Sequence, residues 1–166
     1  MSGLISELIS VLNEQSNIYE QLCGISMHKK EMIIINDIEE LKKITSSENL
    51  LLGKIQRIDK IRVSLIEDIA CVLNEEESDI TLSALANIIN DQPDYNAFIE
   101  AVEKLRNTLD ALKNLNEQNK QLIQNSLEYI DFSINVIRST FSDEPSFFTT
   151  KGEELPQVSS FFDARN

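Results

Sequence analysis

One histidine, two cysteines and a run of three glutamates are the residues in this 166-residue chain whose types could do chemistry. His28 precedes Lys29 and Lys30 on a polar stretch. Nucleophilic catalysis needs a nucleophile and an orienting group beside the base. The sequence offers neither, so His28 reads as exposed and uncommitted. Cys23 and Cys71 are isolated, with no CxxC pair and no Cys/His cluster, which argues against a zinc site. Their apolar neighbours Leu22, Ala70 and Val72 suit small buried hydrophobes. Glu75-Glu76-Glu77 reads as a solvated connection. The glycines at 3, 24, 53 and 152 do not cluster, so no phosphate-cradling loop is present. A di-iron bundle site uses paired Glu-x-x-His motifs, which a single histidine cannot supply. No enzyme, metal or cofactor is expected.

Composition narrows the class. Lys plus Arg total 15 against 28 for Asp plus Glu, a formal charge of −13. Nucleic acids and anionic membrane surfaces are recognised through basic patches, so neither is an expected partner. Apolar runs such as Met32 to Ile35 fall far short of the roughly 20 residues that span a bilayer, so no membrane insertion is expected. Met1-Ser2-Gly3 lacks a basic start and Glu7 interrupts the apolar stretch after it, unlike a signal peptide. A cytoplasmic location is expected. Only 4 Gly and 3 Pro occur, where an average chain would carry roughly 12 and 8. Sheets need many turns and turns need these residues. The fold is therefore read as all-α: an elongated antiparallel bundle or coiled coil of long helices, with one short helix and an irregular C-terminal tail.

The elements follow from periodicity. Leu4, Ile5, Leu8, Ile9, Leu12, Ile18, Tyr19, Leu22, Ile25, Met32 and Ile33 recur at steps of three and four, which predicts a helix over 4–35. Gly24 inside it suggests a bend or a close contact. Asn36-Asp37 breaks the pattern. Asp37 is a good N-cap, with Glu40 placed as in a capping box. A second helix is predicted over 38–73, with a heptad seam of Ile44, Glu48, Leu51, Ile55, Ile58, Arg62, Leu65, Ile69 and Val72. Glu48 and Arg62 on that seam either reach solvent at its edge or make interhelix polar contacts. After the acidic stretch 74–79, Asp79 or Thr81 can cap a short helix over 82–90. Gln92-Pro93 ends it.

The last helix is predicted over 94–141. Its seam runs through Phe98, Val102, Leu105, Leu109, Leu112, Asn116, Asn119, Ile123, Leu127, Ile130, Ile134, Ile137 and Phe141. The successive steps of four at 119, 123 and 127 form a stutter, which unwinds a left-handed supercoil locally. Asn116 and Asn119 just before it are either a polar layer that sets register or a hydrogen-bonding patch for another chain. Residues 1–141 thus form the helical bundle and 142–166 a tail, extended or ordered by a partner. Four of the seven phenylalanines fall in the last 25 residues, as Phe147-Phe148 and Phe161-Phe162. That aromatic content suits either packing back on the bundle or docking elsewhere.

Three stretches resemble the FlgN family of flagellar export chaperones. The first is Asn36-Asp37-Ile38-Glu39-Glu40-Leu41, followed by Ile44-Thr45, Glu48, Leu51-Leu52 and Arg62. The second is Leu115-Asn116-Glu117-Gln118-Asn119 with Leu122-Ile123, similar to the family's Leu-Asn-x-x-Asn-x-x-Leu-Leu. The third is Phe148-Thr149-Thr150-Lys151-Gly152, similar to an aromatic-x-x-x-Gly tail that usually carries Tyr. The resemblance implies a chaperone that binds hook-associated proteins of the hook–filament junction through their C-terminal helices. It would prevent premature assembly and deliver them to the flagellar export apparatus. On this chain the implied client-binding residues are Asn116, Asn119, Ile123, Leu127, Ile130, Ile134 and Ile137. Phe147, Phe148 and Gly152 would dock at the export gate.

The competing reading is a structural coiled coil or adaptor whose seams serve self-association alone. The sequence leaves monomer and homodimer both open.

Overall fold

The computed structural model describes residues 2–74 and 81–142. Four helices occur in it: α1 (Ser2–Ile35), α2 (Ile38–Leu73), α3 (Leu82–Ile88) and α4 (Tyr95–Ser142). No strand is present among the described residues. The chain divides into two compact units, Met1–Tyr129 and Ile130–Asn166, with the boundary inside α4. The tail 143–166, with Phe147, Phe148 and Gly152, lies outside the described residues.

In the first unit, a two-residue link reverses the chain between α1 and α2. Asn36 adopts φ 57°, a left-handed conformation that asparagine tolerates better than most residues. Asp37 N–H then donates to the Met32 carbonyl at 3.0 Å and Asn36 N–H to that of Ile33 at 3.2 Å. This is a Schellman closure of α1. Asp37 caps α2 by accepting from Glu40 N–H at 3.0 Å, as its sequence position predicts. Met32 to Ile35, despite three consecutive β-branched isoleucines, are helical and close α1.

Contacts between helices fix their directions. Gln15 meets Asp59 and Lys29 meets Glu48, so α1 and α2 are antiparallel. Asn17 meets Lys104, and Lys30 meets Gln118, so α4 runs parallel to α1. Helix α3 makes this possible by returning the chain to the start of α1. Thr81 caps it, accepting from Ala84 N–H at 3.0 Å, while Asp79 lies outside the described residues. The helix ends at Ile88, two residues earlier than predicted, and hydrogen-bonded turns lead past Pro93 into α4. There Ser2 donates its hydroxyl to the Asp94 carboxylate at 2.9 Å, tying the two ends together.

The core has two parts. At the α3 end, Ile5, Leu8, Leu12, Ile69, Leu85, Ile89 and Phe98 are buried together. Further along, Ile18, Leu22, Leu51, Ile55, Ile58 and Leu65 form a second cluster, with Leu112 of α4 packed against it. Each buried aliphatic side chain contributes roughly 1.5–3 kcal/mol.

Several expectations are corrected here. Val72 is exposed and Leu73 half-buried, because α2 turns its core face slightly with each heptad and the stripe passes through Ile69, Ala70 and Leu73. Cys71 falls beside that stripe and is exposed, while Cys23 is half-buried. Gly24 marks neither a tight contact nor a crowded backbone, since a Cβ there would meet nothing within 4 Å. Glu48 makes the interhelix polar contact, a 2.8 Å ion pair with Lys29 in which both side chains are mostly covered. Arg62 instead pairs along its own helix with Asp59, at 2.6 Å.

The second unit is described only by its share of α4, Ile130 to Ser142, which is helical throughout.

Candidate functional site

The two asparagines of the α4 seam converge on one serine of α1. Asn119 donates its Nδ2 to the Ser26 carbonyl oxygen at 2.8 Å. Ser26 donates its hydroxyl to Asn116 Oδ1 at 3.3 Å. Ser26 and Asn119 are 1% and 3% exposed, so their contact is buried. Asn119 Oδ1 has no hydrogen-bond partner among the described residues, a cost inside a covered site. Lys30 donates to Gln118 Oε1 at 2.9 Å on the outer side of the same layer. Asn116, by contrast, is exposed and borders a shallow groove with Tyr19, Ser26, Glu48, Leu52 and Leu112.

Past that layer the seam changes character. In the first unit, Ile123 and Leu127 are exposed. In the second, so are Ile130, Ile134 and Ile137. These five are between 41% and 57% exposed, and Leu109, placed on the same seam within the bundle, is exposed too, at 39%. Residues at i, i+4 and i+7 share one face of a helix, so Ile130, Ile134 and Ile137 form a stripe. An apolar stripe of this kind can receive the apolar face of a partner helix.

The seam reading missed a second apolar face. Phe132 and Val136 are also exposed, on the side of α4 away from that stripe, and Tyr129 is exposed in the first unit. Their spacing of three and four was available in the sequence, but attention to a single seam passed over it. Ile34, Ile35 and Ile38 are exposed as well, at the turn between α1 and α2. The buried polar residues Gln15, Ser16 and Ser26 were missed for a different reason. Hydrophobic periodicity has no signal for a polar side chain that satisfies itself locally, as Ser16 does on the Leu12 carbonyl at 2.9 Å.

His28 is exposed but not uncommitted. Its Nε2 lies 3.5 Å from Glu40 of α2 and its Nδ1 lies 3.8 Å from Glu31. Glu40 also accepts from Lys43 at 2.8 Å. That bond and the Lys43 charge hold the Glu40 carboxyl below the ordinary carboxylate value, with His28 adding to the shift. The same contact pushes the Lys43 ammonium up. Burial, reinforced by Glu20, raises the Cys23 thiol, whose sulfur lies 3.8 Å from the Thr108 carbonyl oxygen. Among the described residues, no group of three or more His, Cys, Asp or Glu is placed to hold a metal ion. No helix among them is long and apolar enough to cross a membrane.

Neither a curated protein nor a solved structure matches the chain. A family model described as FlgN protein matches residues 1–156, nearly the full length of the sequence. The chain belongs to the FlgN family of flagellar export chaperones.

Proposed function

We propose that α4 binds the C-terminal helices of hook-associated proteins, along the face that carries Ile123, Leu127, Ile130, Ile134 and Ile137. The observation that carries this reading is the exposure of Ile130, Ile134 and Ile137 on one face of the helix in a family of export chaperones. A client helix laid on such a face buries its own apolar stripe. It is thereby held apart from other subunits until export. Asn116 and Asn119 mark where the face begins. Asn119 is engaged by Ser26, so the client grips the isoleucines and Asn116 at the edge.

In the same reading, the tail residues Phe147, Phe148 and Gly152 dock at the export gate, and delivery takes place in the cytoplasm. The acidic surface keeps the complex soluble and away from nucleic acid. Function is tested by secretion. In cells carrying Ile134→Asp, secreted hook-associated proteins fall while helicity of the purified chaperone is unchanged. Removal of 142–166 leaves client binding and melting temperature near wild type but reduces secretion. Normal secretion in both variants would contradict the proposal.

A further inference from the structure

We infer that α4 carries a hinge at Asn107–Thr108, about which residues 109–129 swing away from α1 while the α1–α2 pair and the core at the α3 end stay closed. The inference goes beyond the client-binding reading and stands without it.

Three observations meet at that place. The first is where apolar packing stops. The side of α4 that faces α1 carries Phe98, Ala101 and Leu105, all buried. At the same helical spacing it continues through Thr108, Leu112, Leu115, Asn119 and Leu122, of which only Asn119 is buried. Of those three leucines, Leu112 alone packs against a core cluster. Past Leu105, α1 and α4 are joined largely by polar contacts. These are Cys23 Sγ to the Thr108 carbonyl oxygen at 3.8 Å, Ser26 to Asn116 and Asn119, and Lys30 to Gln118. Water replaces such bonds at small net cost. Parting α1 from α2 would instead uncover the buried Ile18, Leu22, Leu51, Ile55 and Ile58, for which water is no substitute.

The second is the helix itself. Asn107, Thr108 and Asp110 are poor helix formers in the middle of α4. The Thr108 hydroxyl donates back to the Lys104 carbonyl oxygen at 2.8 Å, a bond that weakens and bends helices. The third is the catch. Asn119 is the one fully buried side chain of α4 past Leu105 among the described residues. Its Nδ2 holds the Ser26 carbonyl oxygen, but its Oδ1 has no partner among them. Opening gives Oδ1 a water, so the buried amide offsets part of the cost of its own release. A long helix hinged in this way turns toward a partner without unfolding the bundle.

The two cysteines report this motion. Cys23 lies against Thr108 of α4, and Cys71 is exposed on α2. The folded full chain is labelled with fluorescein maleimide, and each cysteine is read by peptide mass spectrometry. Cys71 is expected to react at one rate in every variant. Asn119→Ala removes the catch and speeds Cys23 about fivefold or more. Asn107→Ala, at an exposed position, strengthens the helix at the hinge and slows Cys23 roughly threefold. Asp37→Ala weakens the fold at the α2 cap, away from the hinge, and leaves Cys23 unchanged. Circular dichroism confirms that each variant is folded. Cys23 labelling indifferent to either Asn119→Ala or Asn107→Ala overturns the inference. So does labelling that Asp37→Ala speeds as much as Asn119→Ala, since Cys23 is then reached by unfolding of the whole chain.

Discussion

Asn119 and Ser26 are 93 residues apart in sequence, and the asparagine amide meets the serine carbonyl at 2.8 Å in a buried site. Beyond Asn119, no described side chain of α4 is buried. This contact is the last fully buried one that α4 makes with α1 among the described residues. It ties the part of α4 that builds the bundle to the middle of α1.

Removing that amide should loosen the tie. Asn119→Ala is expected to lower unfolding free energy by about 1–2 kcal/mol, from a lost hydrogen bond and lost packing. Asn116→Ala removes only the long 3.3 Å acceptor of the Ser26 hydroxyl and should cost less, about 0.5–1 kcal/mol. Urea denaturation of both variants checks the contrast. Equal costs would show that Asn119 is not the anchor.

The α1–α2 link gives a second expectation. Asn36 sits at φ 57°, and Asp37 caps α2 through Glu40 N–H. Asp37→Ala should destabilise by about 1 kcal/mol. Asn36→Gly should be neutral or slightly stabilising, while Asn36→Val should cost more than either, because β-branching opposes positive φ. Thermal unfolding ranks the three.

Gly24 stands exposed inside α1 with open space around its missing Cβ. Gly24→Ala should therefore stabilise the chain by about 0.5–1 kcal/mol, through backbone entropy alone. A loss of stability would reveal a use for the glycine that its surroundings do not display.

A fourth expectation concerns pH. The folded Glu40 carboxyl titrates below its ordinary value because of Lys43 and, less strongly, His28. A depressed folded value means that its contribution is present above the unfolded carboxylate value and is lost as pH falls through the folded one. Lys43, raised by Glu40, contributes below the ordinary lysine value and loses that contribution as pH rises through the folded one. The contact thus helps over the whole neutral range. Both groups are exposed, so the effect is small and screened by salt. Glu40→Gln should flatten the low-pH limb of a stability-against-pH curve below about pH 5, and a limb identical to wild type would contradict it.

Much of this fold was legible in residue spacing. The link at Asn36-Asp37 was readable because a strong cap and a break in apolar period coincide there. The bounds of α2 and the cap at Thr81 followed from the same kind of signal. Val72 and Cys71 were misplaced because a strict heptad drifts from the true helical period over 36 residues. Ser26 escaped notice because a buried serine resembles an exposed one in sequence. Which partner engages each asparagine depends on the register of α4 against α1, and no local pattern encodes that. Exposure of the α4 isoleucines was equally hidden, since an open seam and a covered one have the same spacing.

The most direct measurement is titration calorimetry of the purified chain against the C-terminal segment of a hook-associated protein from the same organism. Saturable one-to-one binding is expected, weakened at least tenfold by Ile130→Asp or Ile134→Asp and little changed by Ile61→Asp, an exposed apolar position on α2. Absence of binding, or binding indifferent to Ile130 and Ile134, would contradict the assignment of α4 as the client-binding helix.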